Sequence, residues 1–233
     1  MKTFFKKHFR WIAIASVGVI VLAGGAFYWM LSGTSAAPLA LQASAALPQS
    51  ASGTDVSGHW TVVPGLAGEA TTAGYRVKEK VAGGIATDTA TGRTGAVTGS
   101  VTVVGKQVTA ATFTVNMTTL KSDKSLRDSV LKTVGIQTTR YPTAGFTLTS
   151  PITLPTIAPG KIYQLDAHGT LRLHGVSKAV SLSLQYKQTE TGFVVLADLP
   201  IIMADYAIKA PSIGGVVSVD HHGSFELLVN LAK

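Results

Sequence analysis

Residues 97–117 read VTGSVTVVGKQVTAATFTVNM, and this stretch decides the fold class. Apolar or small residues alternate with Thr and Ser, which is the pattern of a β-strand with one buried face. Gly105 and Lys106 interrupt the alternation at its centre and predict a tight turn. The stretch therefore predicts two strands joined as an antiparallel hairpin.

The same two-residue alternation returns in four later runs, at residues 165–173, 180–186, 193–199 and 225–231. His174 and Gly175 separate the first two of these runs and predict another turn. Short strands at regular spacing are typical of a closed barrel or a sandwich. We therefore predict one all-β domain of about eight antiparallel strands over residues 58–233. Its inward-facing side chains should include Phe113, Phe146, Leu182 and Phe225.

One segment has the period of a helix. Residues 122–135 read SDKSLRDSVLKTVG, in which the following apolar residues fall at helical spacing: Leu126, Val130, Leu131 and Val134. Ser122 is a suitable N-cap and Gly135 a suitable C-cap. The sequence therefore predicts one short helix over 122–135, between the fourth and fifth strands.

Residues 11–31 form an uncharged, mostly apolar run of 21 positions. As a helix this run would be about 32 Å long, enough to cross the hydrocarbon core of a bilayer. Four basic residues precede it and the next one is Arg76. Because positive charge stays on the cytoplasmic side, we expect residues 1–10 to be a cytoplasmic tail and 11–31 a transmembrane anchor. The rest of the chain would then be extracytoplasmic, on a single-pass protein of the cell membrane.

A cleaved signal peptide is the alternative, since residues 43–45 (Ala-Ser-Ala) have the form of a cleavage site. A retained anchor is favoured because the apolar core of a signal peptide is usually shorter, about 7–15 residues. Residues 32–57 are rich in Ala and Ser and carry one charge, at Asp55. They are interpreted as a flexible spacer or a remnant of a processed leader, in either case outside the fold.

The charge of the chain argues against nucleic-acid binding. The net charge is +8, but four of the positive charges lie in the first ten residues. From residue 58 onward there are 16 Lys and Arg against 11 Asp and Glu, a net charge of +5. These charges are scattered, with no dense basic run interleaved with aromatic residues. A modest positive excess suits the surface of an anionic membrane better.

Motifs for catalysis and metal binding are weak. The chain contains no Cys and no G-x-S-x-G motif. The motif of a nucleotide-binding loop is also incomplete, because Thr87 stands where its first Gly is required. His168 and His174 are six positions apart, and His221 and His222 would point to opposite faces of a strand. We therefore predict surface histidines, no metal site, no cofactor and no catalytic residues.

Five segments, taken in order, carry a resemblance to a known family. They are GYRVKEKVAGG (74–84), TATGRTGAVTGSVTV (89–103), TFTVNMTTLKSDKSLRDSVL (112–131), RYPTAGFTLTSPI (140–152) and GTLRLHGVSKAVSLSL (169–184). DYAIKAPSIGG (205–215) and the final apolar strand fit as well. Together they resemble the YceI-like family of bacterial lipid-binding proteins over about residues 58–233. The most specific pieces are Arg127-Asp128, Tyr141-Pro142 with Phe146, and the turn at 173–176.

The resemblance implies an eight-stranded antiparallel, lipocalin-like barrel around a long apolar cavity. It also implies that the ligand is a polyisoprenoid chain, a class that includes quinone-type lipids. The chain departs from more familiar members at residues 74–77 (Gly-Tyr-Arg-Val), where those members carry His or Ser and Phe. This departure concerns the mouth of the cavity and the preference for a headgroup.

Candidate binding residues follow from the resemblance and from the alternation. We expect the cavity to be lined by Tyr75, Val77, Phe113, Val115, Leu131, Phe146, Leu148, Leu171, Leu182, Leu184, Tyr206 and Phe225. The candidates for binding a headgroup are Arg76, Arg93 and Arg127. A solid core, with Arg127 or Asp128 fastening the helix to the barrel, is the alternative for these residues.

Two functional hypotheses remain at this point. The first is an extracytoplasmic carrier that holds a polyisoprenoid or other long-chain lipid. The second is a structural or adhesive module of the cell envelope that binds a protein partner. An apolar cavity would favour the first hypothesis, and a solid core with an exposed apolar patch would favour the second.

Overall fold

A computed structural model describes residues 35–42, 56–65, 68–158, 160–213 and 217–233. The long strands are β1 (Gly58–Val63), β2 (Thr72–Val81), β3 (Ala86–Thr94), β4 (Val97–Val104), β5 (Gln107–Asn116), β7 (Thr143–Leu148), β9 (Ile162–Leu173), β10 (Val176–Gln188), β11 (Gly192–Ile202) and β13 (Val217–Ala232). Three two-residue strands are β6 (Lys121–Ser122), β8 (Ile152–Thr153) and β12 (Ser212–Ile213). Within these described ranges one α-helix, α1 (Ser125–Thr133), lies between β6 and β7, and 3₁₀ turns occur at Ala82–Gly84, Met117–Thr119 and Met203–Tyr206.

Eight strands form a closed antiparallel barrel. Their order is β1, β4, β5, β7, β9, β10, β11 and β13, and β13 pairs with β1 to complete the ring. Closure leaves these eight strands without a free edge along the ring. The predicted all-β barrel with one helix is confirmed.

Residues 217–228 of β13 carry a second group of strands. β2 pairs with β13, β3 pairs with β2, and β6 pairs with β3. A bulge between Val219 and Gly223 interrupts the pairing of β13 with β2. Because a bulge bends its strand, this group can leave the ring and pass beside α1.

The predicted register is confirmed by the strand pairing. Phe113 of β5 lies opposite Phe146 of β7, which lies opposite Leu171 of β9. All six alternating runs are antiparallel strands, and both predicted turns are present. At the second turn His174 and Gly175 have φ values of 51° and 77°, which suit the tight turn of a two-residue hairpin.

The helix begins three residues later than predicted. Ser122 is not its N-cap; the cap is Lys124, which makes no capping bond through its side chain. The hydroxyl of Ser122 instead accepts a hydrogen bond from the Lys124 N–H and donates one to the carboxylate of Asp128. Gly135 follows the C-cap residue Val134 with a φ of 64°, as expected for a residue that ends a helix.

Part of the predicted spacer 32–57 packs on the barrel, which corrects the expectation that it lies outside the fold. In the described residues 35–42, the N–H of Ala36 donates to the hydroxyl of Thr91. At the other end of the segment, the carbonyl of Gln42 accepts from Nζ of Lys187 at 2.8 Å. Lys187 is only 2 % exposed and is also paired with Glu69 at 2.7 Å, so the segment ends at a buried ion pair.

The predicted anchor at 11–31 lies outside the described residues. Among the residues that are described, none belongs to a helix with the length and apolar character needed to cross a bilayer.

Candidate functional site

Two partly open cavities with mainly apolar walls lie in the described part of the chain. The larger, of about 350 Å³, lies between α1, β2, the end of β11 and β13. Its apolar wall includes Val77, Leu131, Ile201, Met203, Val219 and Phe225. The walls come from strands that alternate inward and outward and from the apolar face of the helix, so the predicted periodicities create this space.

The smaller cavity, of about 110 Å³, lies within the barrel, between β2, β5, β7, β9, β10, β11 and β13. All four side chains predicted to face inward line it: Phe113, Phe146, Leu182 and Phe225. Small residues such as Ala73, Ala144 and Ala197 also contribute to the wall, which explains why the large side chains do not fill the interior. Phe225 lines both cavities and therefore lies at their boundary.

A charged corner interrupts the apolar wall of the large cavity. Arg127 of α1 donates from Nη2 and Nε to the carboxylate of Glu79 on β2, at 3.0 and 3.3 Å. The two side chains are 11 % and 9 % exposed, and Arg127 is also paired with Asp123. Burial lowers the pKa of Arg127, but its bond to Glu79 and the nearby carboxylates outweigh that effect and raise the pKa overall. The corner therefore holds a charged guanidinium that is already neutralised.

Tyr75 lies beside this corner with an unused hydroxyl. The residue is 6 % exposed, and its hydroxyl has no hydrogen-bond partner within the part of the chain that the structure describes. Its ring covers Gly92, where a Cβ would lie 2.3 Å from the ring. Burial raises the pKa of Tyr75 well above its ordinary value, although Arg127 acts to lower it. The phenol therefore stays protonated.

The structure brings most of the predicted cavity residues together, in two groups. The large cavity is lined by Tyr75, Val77, Leu131 and Phe225. The small cavity is lined by Phe113, Val115, Phe146, Leu171, Leu182, Leu184 and Phe225. Whether any of them binds a lipid stays a prediction.

Two predicted cavity residues lie elsewhere. Leu148 packs, partly buried, in the hydrophobic cluster around Trp60 and does not line either cavity. Tyr206 is 3 % exposed and belongs to the core, where its carbonyl lies 3.0 Å from Nδ1 of His174. Both residues share the apolar character of the lining, which is why the sequence pattern did not distinguish them from it.

Two of the three predicted headgroup residues are also placed elsewhere. Arg76 borders the large cavity, but its guanidinium pairs with Glu226, as does that of Arg93, each at 3.1 Å. Their side chains point to the opposite face of β2 and β3 from Tyr75, because neighbouring strand residues alternate. There they donate to the carbonyls of Ala36 and Ala37. Only Arg127 has its guanidinium at the charged corner of the cavity.

Glu79 is the main residue of the site that the sequence interpretation missed. It follows Tyr75 and Val77 at the same two-residue spacing and is 7 % exposed. The sequence did contain a signal for this residue. A carboxylate at an inward position of a strand is a buried charge, and a buried charge requires a partner. The structure supplies that partner from the predicted helix, so the Arg127–Glu79 pair ties α1 to β2.

The prediction that all histidines lie at the surface is wrong for one of them. His174 is 7 % exposed, and its ring packs 4.1 Å from that of Tyr141, between centroids. Its place in a tight turn suggested exposure, but the turn is covered by residues that follow α1 and β11. The described residues contain no group of His, Asp or Glu side chains arranged to hold a metal ion.

Comparison with known proteins gives a family and a fold. The sequence model of the YceI-like domain matches residues 60–226. A solved polyisoprenoid binding domain from Saccharophagus degradans, implicated in plant cell wall breakdown, aligns with a TM-score of 0.55 at 16 % identity, covering 74 % of this chain and 97 % of that one. BcnA of Burkholderia cenocepacia aligns with a TM-score of 0.52 at 14 % identity, covering 70 % and 96 %. No curated protein matches the sequence.

Proposed function

The chain belongs to the YceI-like family, and we propose that it binds a long-chain lipid of the polyisoprenoid class in its cavities. The single observation that carries the proposal is the apolar cavity of about 350 Å³ between helix and barrel. The structural neighbour that is a polyisoprenoid binding domain supports the choice of ligand class. The rival hypothesis, an adhesive module, predicted a solid core and is therefore less favoured.

The energetics suit such a ligand. Burial of a prenyl chain contributes about 0.8 kcal/mol for each CH₂-sized group. Several isoprene units therefore outweigh the cost of association and give an affinity in the micromolar range or better. Equilibrium dialysis of the delipidated full-length chain against geranylgeraniol tests this directly. Saturable binding of one molecule per chain is expected, and the absence of binding would contradict the proposal.

We propose further that the chain works as a carrier beside a membrane. The uncharged run 11–31 and its basic flank support an uncleaved anchor with the N-terminus in the cytoplasm and the barrel outside. A tethered barrel stays close to the bilayer from which its lipid comes. N-terminal sequencing of protein recovered from membranes should find the chain intact. A mature N-terminus between residues 36 and 46 would refute the anchor.

A further inference from the structure

The segment 35–42 on the outer face of the barrel has a defined direction. At its beginning, the N–H of Ala36 donates to the hydroxyl of Thr91, in the middle of β3. At its end, the N–H of Gln42 donates to the carboxylate of Glu69, 2.7 Å away. Glu69 precedes β2, whose first residues pair with the last residues of β3. The segment therefore runs along β3 in the direction of that strand, and its beginning points to the turn between β2 and β3.

Little chain separates this segment from the proposed anchor at 11–31. Only residues 32–34 lie between the two. An extended chain advances at most about 3.6 Å per residue, so Ser35 would lie within about 14 Å of the outer end of the anchor. From Thr91 back to Ala86, β3 extends about 17 Å towards the same side. Because the two lengths are similar, the turn between β2 and β3 would reach the level of the bilayer surface.

Exposed apolar side chains are grouped at this turn and at the adjoining mouth of the large cavity. Ile85 at the turn is 90 % exposed, and Val134 at the end of α1 is 42 % exposed. Leu126 of α1 lines the cavity although it is 53 % exposed, which places it at the mouth. Val81, where the turn begins, pairs with Val217 of β13, which lines the same cavity. The three exposed side chains form an apolar rim, a feature typical of surfaces that contact a membrane or another protein.

The charge of this region suits an anionic bilayer. Residues 78–88 and 121–132, which flank the turn and form the helix, carry six Lys and Arg against four Asp and Glu. Three of the four carboxylates are bound by side chains of the protein: Glu79, Asp123 and Asp128. The side chains of Lys121 and Lys132 are exposed. A positive excess beside exposed apolar side chains favours the surface of an anionic membrane over a neutral one.

We propose that the barrel docks on the anionic bilayer that holds its anchor, with the apolar rim in the membrane interface and the mouth of the large cavity facing the lipids. The packed segment 35–42 keeps the tether short and directs this end of the barrel towards the bilayer. The inference rests on the anchor in the proposed function, and it adds an orientation and a route. A lipid would enter the cavity from the bilayer without crossing water.

The opposite end of the barrel supplies a matched control position. Val104, at the turn between β4 and β5, is apolar and 63 % exposed, as the rim residues are. Its neighbour Val103 pairs with Gly58, which lies beside Lys233 at the end of β13. β13 starts at Val217, next to the rim, and its 16 residues extend up to about 50 Å. Val104 therefore lies far from the rim.

The first test determines which end of the barrel contacts the bilayer. Because the chain has no Cys, each of Ile85→Cys, Leu126→Cys and Val104→Cys creates one site for a fluorescent label. Each full-length variant is reconstituted into vesicles of phosphatidylcholine and phosphatidylglycerol in equal amounts, with a nitroxide quencher in the upper acyl chain of part of the phosphatidylcholine. Labels at positions 85 and 126 should lose most of their fluorescence, and the label at position 104 should lose little.

The second test disrupts the rim at a distance from the label. Adding Ile85→Asp to the chain labelled at position 126 should lower the ratio of docked to undocked barrel at least about tenfold, the factor that burial of one Ile side chain supplies. Quenching at position 126 should fall accordingly. The matched control, Val104→Asp, should leave that quenching unchanged. Both substitutions replace exposed side chains, so the melting temperature should not change.

The outcomes separate this inference from the anchor on which it rests. Alkaline carbonate extraction of the vesicles comes first, and a chain that it releases would refute the anchor and the docking together. A chain that stays in the membrane with equal quenching at positions 85, 126 and 104 would refute the docking and leave the anchor standing. Unchanged quenching at position 126 in the Ile85→Asp variant would refute the role of the apolar rim. Binding of geranylgeraniol in dialysis is independent of all three results.

Discussion

Phe225 of β13 and Tyr75 of β2 are direct partners across an antiparallel strand pair, and both line the large cavity. Phe225 also lines the small cavity. One aromatic side chain thus lies at the boundary of two apolar spaces, one within the barrel and one between the barrel and the helix. The following predictions test whether these spaces are real and what maintains them.

The large cavity should accept extra volume without loss of stability. Ile201→Trp places a larger apolar side chain in the cavity wall, so we expect the free energy of unfolding to change by less than about 1 kcal/mol while lipid binding is lost. Leu231→Trp is the matched control, because Leu231 is also 5 % exposed but lines neither cavity. It should cost about 1–3 kcal/mol by overpacking. Equal costs in urea unfolding would show that the region around Ile201 is solid.

The carboxylate of Glu226 should stabilise the outer side of β13. Glu226→Gln removes the partner of both Arg76 and Arg93, which are 21 % and 27 % exposed, so we expect a loss of about 2 kcal/mol. The control is Asp205→Asn, which breaks the pair with Lys178. Those side chains are 40–47 % exposed, and the expected loss is below about 0.5 kcal/mol. Similar losses for the two variants would contradict the assigned burial.

The packing of β7 against β9 should depend on the absence of a side chain at Gly169. A Cβ at Gly169 would lie 2.3 Å from the ring of Phe146 and 2.6 Å from the carbonyl of Thr147. Gly169→Ala should therefore lower the free energy of unfolding by about 2 kcal/mol, because the ring must leave its position. At Gly145 the nearest atom to a Cβ is 3.4 Å away, so Gly145→Ala should change stability by less than about 1 kcal/mol. If thermal unfolding showed that Gly169→Ala destabilises the protein no more than Gly145→Ala does, the register of β7 and β9 would be wrong.

The strands and their inward faces could be predicted because the two-residue alternation of apolar and polar side chains is visible within each short segment of the sequence. The alternation alone predicts that Phe113 and Phe146 face inward, and strand pairing places them opposite each other. The beginning of the helix could not be placed in this way. Ser122 has the character of a cap, but its hydroxyl is used by Asp128, and only the folded geometry shows this.

The errors at the site have a common physical origin, which is partners that lie far apart in the sequence. Arg76 and Glu226 are 150 positions apart. No local sequence pattern could therefore indicate that the guanidinium of Arg76 pairs with a carboxylate. The packing of residues 35–42 was hidden for a related reason. Its contacts to Arg76 and Lys187 are made by backbone carbonyls, which every residue carries, and its composition of Ala, Ser, Leu, Pro and Gln gave no signal.

The central claim is that the apolar cavities hold a polyisoprenoid-class lipid. Native mass spectrometry of the full-length chain purified from its own cells, followed by extraction and fragmentation of what it carries, tests that claim most directly. The account predicts one lipid per chain, released as a prenyl compound. Protein that carries no lipid, and that binds none when prenyl lipids are offered, would contradict it.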